Sequence, residues 1–216
     1  VTLKVSSTPW DPSEGALSGV RKLLEKAGVG WDDVAEILHG STVATNSLIE
    51  RKGTHPVLLT TAGFEDVLMI GRQEKTRIYD QFYRRPPPLV PRAAIRGIPE
   101  RLAADGSIVQ PLDEVALLAA VRDAVAAFGA TSIAVAFLHA YRNPVHERRA
   151  REAIEAEFPA LDVSLSSDIA PEFREYERTS TTVINAYVRP VVRRCVSRMQ
   201  EGLVAQGYAR ALLIMQ

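Results

Sequence analysis

The chain has 216 residues, 46% of them hydrophobic, with Lys plus Arg and Asp plus Glu at 26 each. That length suits one large domain or two small ones and buries roughly 70% of the unfolded surface. Zero net charge gives no electrostatic reason for nucleic acid or an anionic membrane as partner. No apolar run approaches the ~20 residues of a membrane helix, and no signal-peptide pattern opens the chain. The single cysteine, Cys195, excludes an intrachain disulfide and fits a reducing compartment, so a cytoplasmic location is expected.

Alternation at Val1, Leu3 and Val5 predicts a strand over 2–5. Asp11 followed by Pro12 is a good N-cap and N1 pair. Leu17, Val20, Leu23, Leu24 and Ala27 follow at helical spacing, and Gly28 stops that helix. Asp32 and Asp33 open a short turn, and a strand-like run covers Val34 to Leu38. The corner that follows, His39-Gly40-Ser41-Thr42-Val43-Ala44-Thr45-Asn46, leads into a helical run over Ser47 to Arg51. A strand-to-helix turn so crowded with small polar groups aims N–H groups and hydroxyls at one point, which suits an anion or a polar substrate. An ordinary N-cap reads the same residues equally well.

Pro56 to Thr61 reads as a strand of the buried kind, and Ala62-Gly63-Phe64 turns into a helix carrying Val67, Leu68 and Ile70. Gly71 to Pro91 is irregular, with Arg72, Arg77, Tyr79, Asp80, Tyr83, Arg84, Arg85 and three consecutive prolines. It reads either as a solvated linker or as an ordered loop laying Arg and Tyr beside a ligand. Ile95 to Arg101 and Ser107 to Gln110 flank Asp105-Gly106, a hairpin signal. Asp113 caps a helix whose stripe runs from Val115 to Phe128 and which Gly129 ends. A strand over Ser132 to Leu138, an exit loop over His139 to Pro144, a helix over Val145 to Phe158 and a strand over Leu161 to Leu165 follow.

Ser166 to Pro171 is a loop, and a long helical pattern then runs from Glu172 to about Gln206, which Pro190 should kink or split. Gly207 ends it before a last apolar run, Ala211 to Met215. With a strand pattern at the first residue and an apolar run at the last, the sequence reads as an excised piece of a longer protein.

The alternation of strands and helices argues an α/β fold with a parallel or mixed sheet, in which ligands sit beyond the carboxyl ends of strands. Gly40 to Asn46, His139 to Asn143 and Ser166 to Asp168 fall at such ends. No Gly-x-Ser-x-Gly, phosphate-loop or dinucleotide fingerprint appears. His39, His55, His139 and His146 are scattered, so no metal site is expected. Cys195 falls in the long helix, where packing is its default role. Glu172 to Thr182 is a dense polar block whose four consecutive hydroxyl residues, Thr179 to Thr182, are poor helix formers and suggest contact with a neighbouring segment or a ligand.

The ordered set of motifs resembles the hydantoinase A/5-oxoprolinase family. It comprises His39 to Asn46 with Glu50-Arg51-Lys52-Gly53, then Thr60 to Val67, then Ile70-Gly71-Arg72-Gln73. Phe137 to Pro144 with His146-Glu147, and Pro171 to Thr182 with Asn185-Ala186-Tyr187, complete it. The resemblance covers nearly the whole chain. It implies an actin-like, ribonuclease H-like α/β ATPase domain over 1–165, incomplete at its start. A helical connector and the first strand of a following domain would occupy 166–216. It implies ATP-dependent opening of a cyclic amide such as hydantoin, N-methylhydantoin or 5-oxoproline. ATP and Mg²⁺ would serve the parent protein without tight binding by this piece.

Carboxylase subunits acting on acetone or acetophenone share the domain, so that activity is an alternative. A non-catalytic folding and subunit-docking module is another. Implied partners are a lactam and a second, hydantoinase B-type subunit or domain, with homo-oligomerisation possible. Ser41, Thr42, Thr45, Asn46 and Arg72 are the residues that would line the site. His39, His139, Asn143 and Arg178 are secondary candidates, and no catalytic role is assigned. Ser41 stands where the family usually has Thr. The family's Asp-x-Gly-Gly-Thr phosphate loop belongs before Val1, and its second Gly-Gly-Thr loop after Gln216.

Overall fold

A computed structural model describes residues 1–8, 10–74, 78–84 and 86–215. Arg77 and Arg85, two of the arginines in the irregular segment, lie outside the described residues. In chain order the elements are α1 (Pro12–Ala27), β1 (Ile37–His39), α2 (Val43–Ile49), β2 (Pro56–Thr61), α3 (Val67–Ile70), β3 (Ile95–Ile98), β4 (Arg101–Leu102), β5 (Ile108–Gln110), α4 (Glu114–Phe128), β6 (Ser132–Ala136), α5 (Val145–Glu157), β7 (Asp162–Leu165), α6 (Ser166–Ile169), α7 (Glu175–Ala205) and β8 (Leu212–Ile214). They form two units: residues 1–52 with 191–216, and residues 53–190.

In the first unit, the Asp11 carboxylate accepts from the Ser13 amide at 3.0 Å and Gly28 closes α1 at φ 67°. β1 and β8 pair in parallel, Ile37 opposite Leu212 and His39 opposite Ile214. The strand expected over 2–5 is absent among the described residues: an alternating pattern becomes a strand only where a sheet edge accepts its hydrogen bonds, and none does so here. The strand expected from Val34 is shorter, beginning at Ile37. The corner is tighter than expected, because α2 begins at Val43 rather than at Ser47. Ser47 lies within that helix, buried, and gives its hydroxyl to the Val43 carbonyl at 2.7 Å.

The second unit is built on a four-stranded parallel sheet in the order β3-β2-β6-β7. Every residue of β2 and β6 is buried, as a sheet covered on both faces requires. Val57, Leu59, Ile133, Val135 and Leu165 pack with Leu117 and Val121 of α4, Ile154 of α5 and Val183 of α7, each 0–3% exposed. Each such side chain contributes ~1.5–3 kcal/mol of burial free energy. The expected hairpin is smaller than its sequence pattern: Ile95–Ile98 joins the main sheet beside β2, and only Arg101–Leu102 turns back against β5. Its antiparallel pairing stays separate from the main sheet.

Ser166–Ile169 forms one helical turn instead of a loop. α7 is a single helix from Glu175 to Ala205 with Pro190 inside it, so the expected split does not occur. A proline removes the N–H that would serve the carbonyl four residues back. Here that carbonyl, Ala186, accepts instead from the Thr54 hydroxyl at 2.9 Å, and Tyr187 accepts from the Thr54 amide at 3.0 Å. The hydroxyl run is tolerated because Thr181 and Thr182 return their hydroxyls to the carbonyls of Glu177 and Arg178 at 2.8 and 2.7 Å.

Candidate functional site

Ser41, Thr42, Thr45 and Asn46 are exposed at the corner of the first unit. The Val43 amide donates to the Ser41 hydroxyl at 3.1 Å, and the Asn46 side-chain amide to the Thr42 hydroxyl at 3.3 Å. Thr42, at the N-cap of α2, makes no side-chain capping bond to the helix, and the group stays open to solvent. Asn46 also borders a groove of about 880 Å³ within this unit, whose lining includes Trp10, Glu50, Arg194, Cys195 and Arg198. That volume lies within the range of small-molecule sites. Arg198 pairs with Asp11 at 2.7 Å, and burial pushes the Cys195 thiol up, away from reactivity. His39 is half-buried in β1, its carbonyl accepting from Met215.

Arg72, His139, Asn143 and Arg178 belong to the second unit. Arg72 donates to Glu177 at 2.7 Å, and this contact holds the Glu177 carboxyl below its usual range. Asn143 is occupied structurally: its amide donates to the Gly106 carbonyl at 2.8 Å and its oxygen accepts from the Val145 amide at 3.1 Å. It ties the β4–β5 turn to the start of α5. His139 has φ 58°, and its Nδ1 is buried without a partner among the described residues. Arg178, 1% exposed, donates to the carbonyls of Glu172 and Phe137 at 2.8 and 2.9 Å, with its guanidinium 5.5 Å from the Tyr141 ring. The two halves of the predicted set thus fall in separate units.

Sequence reasoning missed the buried polar groups behind these residues. Glu147, fully buried, accepts from the Phe137 amide at 2.9 Å, the Ser166 hydroxyl at 2.6 Å and the Ser167 amide at 2.8 Å. Burial pushes its carboxyl up; the three hydrogen bonds pull the other way. Glu100, also buried, takes the Thr61 hydroxyl on one oxygen and meets His146 Nδ1 at 2.7 Å on the other. A signal existed for Glu147: with Ala150 and Ile154 it falls on the buried stripe of α5, where a carboxylate needs partners. Among the described residues no group of three His, Cys, Asp or Glu side chains could hold a metal ion. None of the described helices is long and apolar enough to cross a membrane.

Fold and site together define an α/β protein whose polar clusters gather at the carboxyl ends of parallel strands. Residues 1–158 match the family model described as the hydantoinase/oxoprolinase N-terminal region, and the chain belongs to that family. It is 38% identical over 202 residues to the caprolactamase subunit alpha of Pseudomonas jessenii, covering 91% of this chain and 29% of that protein. It is 34% identical over 230 residues to the acetophenone carboxylase gamma subunit of Aromatoleum aromaticum, covering 98% and 31%. The crystal structure of the ATP-dependent caprolactamase from Pseudomonas jessenii superposes with a TM-score of 0.84 at 36% identity, covering 99% of this chain and 31% of that one. The chain therefore spans about 30% of the length of the curated relatives it matches. The α/β class with flanking helices holds, as expected from the motifs.

Proposed function

We propose that the natural protein is an ATP-dependent hydrolase of cyclic amides and that this chain contributes its N-terminal region. The supporting observation is the likeness to the ATP-dependent caprolactamase over 99% of the chain. A lactam resists water because its nitrogen donates into the carbonyl. ATP, when bound, supplies the phosphoryl group that removes this resistance.

This chain's part is to bind and orient. Ser41, Thr42, Thr45 and Asn46 offer exposed hydroxyl and amide groups beside a groove of fitting size, with the first-turn amides of α2 behind them. Arg72, already positioned by Glu177, offers a cation. Within the first unit the hydroxyl and amide donors suit a phosphate or a carbonyl oxygen, and within the second Arg72 suits an anion. Any Mg²⁺ used by the natural protein would be carried largely by the phosphates of ATP. As part of the same reading, the boundary near residue 165 separates family modules, a second subunit or domain completes the enzyme, and the protein works in the cytoplasm.

The test is lactam-dependent ATP hydrolysis by the natural full-length protein with its partner subunit, across caprolactam, hydantoin, N-methylhydantoin and 5-oxoproline. Turnover on one of them is the expected result, reduced at least ~10-fold by Thr42→Ala or Asn46→Ala without loss of fold. Bicarbonate-dependent carboxylation of a ketone, with no lactam turnover, overturns the reading in favour of a carboxylase.

A further inference from the structure

The irregular stretch from Gly71 to Pro91 is pinned at both ends. Leu68 and Met69 before it, and Leu89 and Val90 towards its close, pack with the core of the second unit. Three prolines, Pro86 to Pro88, favour an extended return path. Between these anchors the Phe82 amide donates to the Asp80 carboxylate at 2.9 Å and the Tyr83 amide to the Asp80 carbonyl at 3.2 Å. The two bonds close a local turn of the Asx kind.

This turn presents large apolar side chains to solvent. Ile78 is 74% exposed, Tyr79 98% and Phe82 88%. A covered Tyr or Phe buries ~150–250 Å², so these two rings alone bring about half of the ~800 Å² that one side of a standard interface buries. Composition points to what covers them. The core of this unit is built mainly of Val, Leu, Ile and Ala, whereas Ile78 to Arg84 carries two tyrosines, a phenylalanine and an arginine. Exposed aromatic residues and arginine mark contacts between chains. The stretch is also basic, since Lys75, Arg77, Arg84 and Arg85 outnumber Glu74 and Asp80. Such a surplus steers an acidic partner that arrives by diffusion, and a segment tethered in the same chain has no need of steering.

We propose that Ile78, Tyr79 and Phe82 are the anchor on which a separate partner subunit docks, through an apolar pocket with an acidic rim. The turn at Asp80 holds the rings ready, which lowers the ordering cost of docking. That this partner completes a lactam hydrolase rests on the function proposed above; the surface itself rests on the exposed rings and the charge around them.

The natural full-length protein and its hydantoinase B-type subunit, purified separately, test it by sedimentation of their mixture at ~50 and ~500 mM salt. The expected result is a complex that weakens with salt and whose dissociation constant rises at least ~10-fold in Tyr79→Ala and in Phe82→Ala. Val115→Ala, at another exposed side chain of the same unit, leaves the constant unchanged. The melting temperature of each uncombined variant stays within a few degrees of the parent. No complex, an unchanged constant in both ring variants, or indifference to salt overturns the proposal. So does a marked fall in melting temperature, which assigns the rings to packing within their own chain. Loss of a self-associated form of the protein alone assigns them to a second copy and overturns it equally. Lactam turnover by the mixture separates the two readings. Turnover with docking indifferent to Tyr79 and Phe82 sinks the surface alone, whereas rings that govern docking in a mixture without turnover sink the enzymatic reading alone.

Discussion

The hydroxyl of Thr54 donates to the carbonyl of Ala186, 2.9 Å away, the group that Pro190 leaves without its helical partner. Ser132 stands 2.9 Å from the same hydroxyl, so a β6 residue helps to fix it. A residue outside the helix thus supplies what the helix lacks, and α7 passes through its proline unbroken.

This coupling is measurable. Thr54→Val removes the donor and leaves the Ala186 carbonyl unpaired, a loss of about 1–3 kcal/mol in urea unfolding. Pro190→Ala restores an N–H at that position, so the double variant should recover much of the loss. A coupling energy of ~1 kcal/mol or more is expected from the cycle, and strictly additive effects count against the compensation.

Glu147→Ala strands three donors, those of Phe137, Ser166 and Ser167, in a site with no access to water. Destabilisation of about 3–5 kcal/mol follows. The native carboxyl is pushed up by burial, so the folded state holds its proton more tightly than the unfolded state. The stability linked to that proton is present below the ordinary carboxylate range and is lost as pH rises through the raised value. Glu147→Gln should flatten this fall, as read from unfolding free energies between pH 4 and pH 8.

Asp11 titrates in the opposite sense. The Ser13 hydroxyl, above all, holds its carboxyl below the usual range. Its contribution is therefore present at and above the ordinary carboxylate range and disappears as pH falls through the lowered value. Asp11→Ala should cost about 1 kcal/mol at neutral pH and nothing measurable in strong acid, where the cap is already protonated.

Two glycines separate packing from chain flexibility. A Cβ at Gly53 would run into the Tyr187 ring, which is 6% exposed, whereas one at Gly40 would meet nothing within 4 Å. Gly53→Ala should destabilise by about 1–3 kcal/mol, while Gly40→Ala stays within ~0.5 kcal/mol, measured by thermal unfolding.

Much of this was legible along the chain. The caps at Asp11 and Asp113 and the stops at Gly28 and Gly129 act within a few residues, so α1 and α4 lie where their residues predict them. The continuous apolar run of β2 announced a strand covered on both faces. Other features answer to distant partners. Thr2 to Val5 alternates like a strand but has no edge to join. Ile95–Ile98 looked like half a hairpin and pairs instead with β2. Glu100 and Arg178 gave little local sign of their burial, because each is stabilised by groups from other segments.

The sequence by itself determined the family, the α/β alternation and the places where helices start and stop, since caps, glycines and apolar periodicity act over a turn or two of chain. Only the tertiary structure decided which strands pair, that Pro190 is tolerated, and that Arg178 and His139 carry unpartnered buried nitrogens. Burial and hydrogen-bond satisfaction depend on what arrives from elsewhere in the chain, and no stretch of residues encodes them alone.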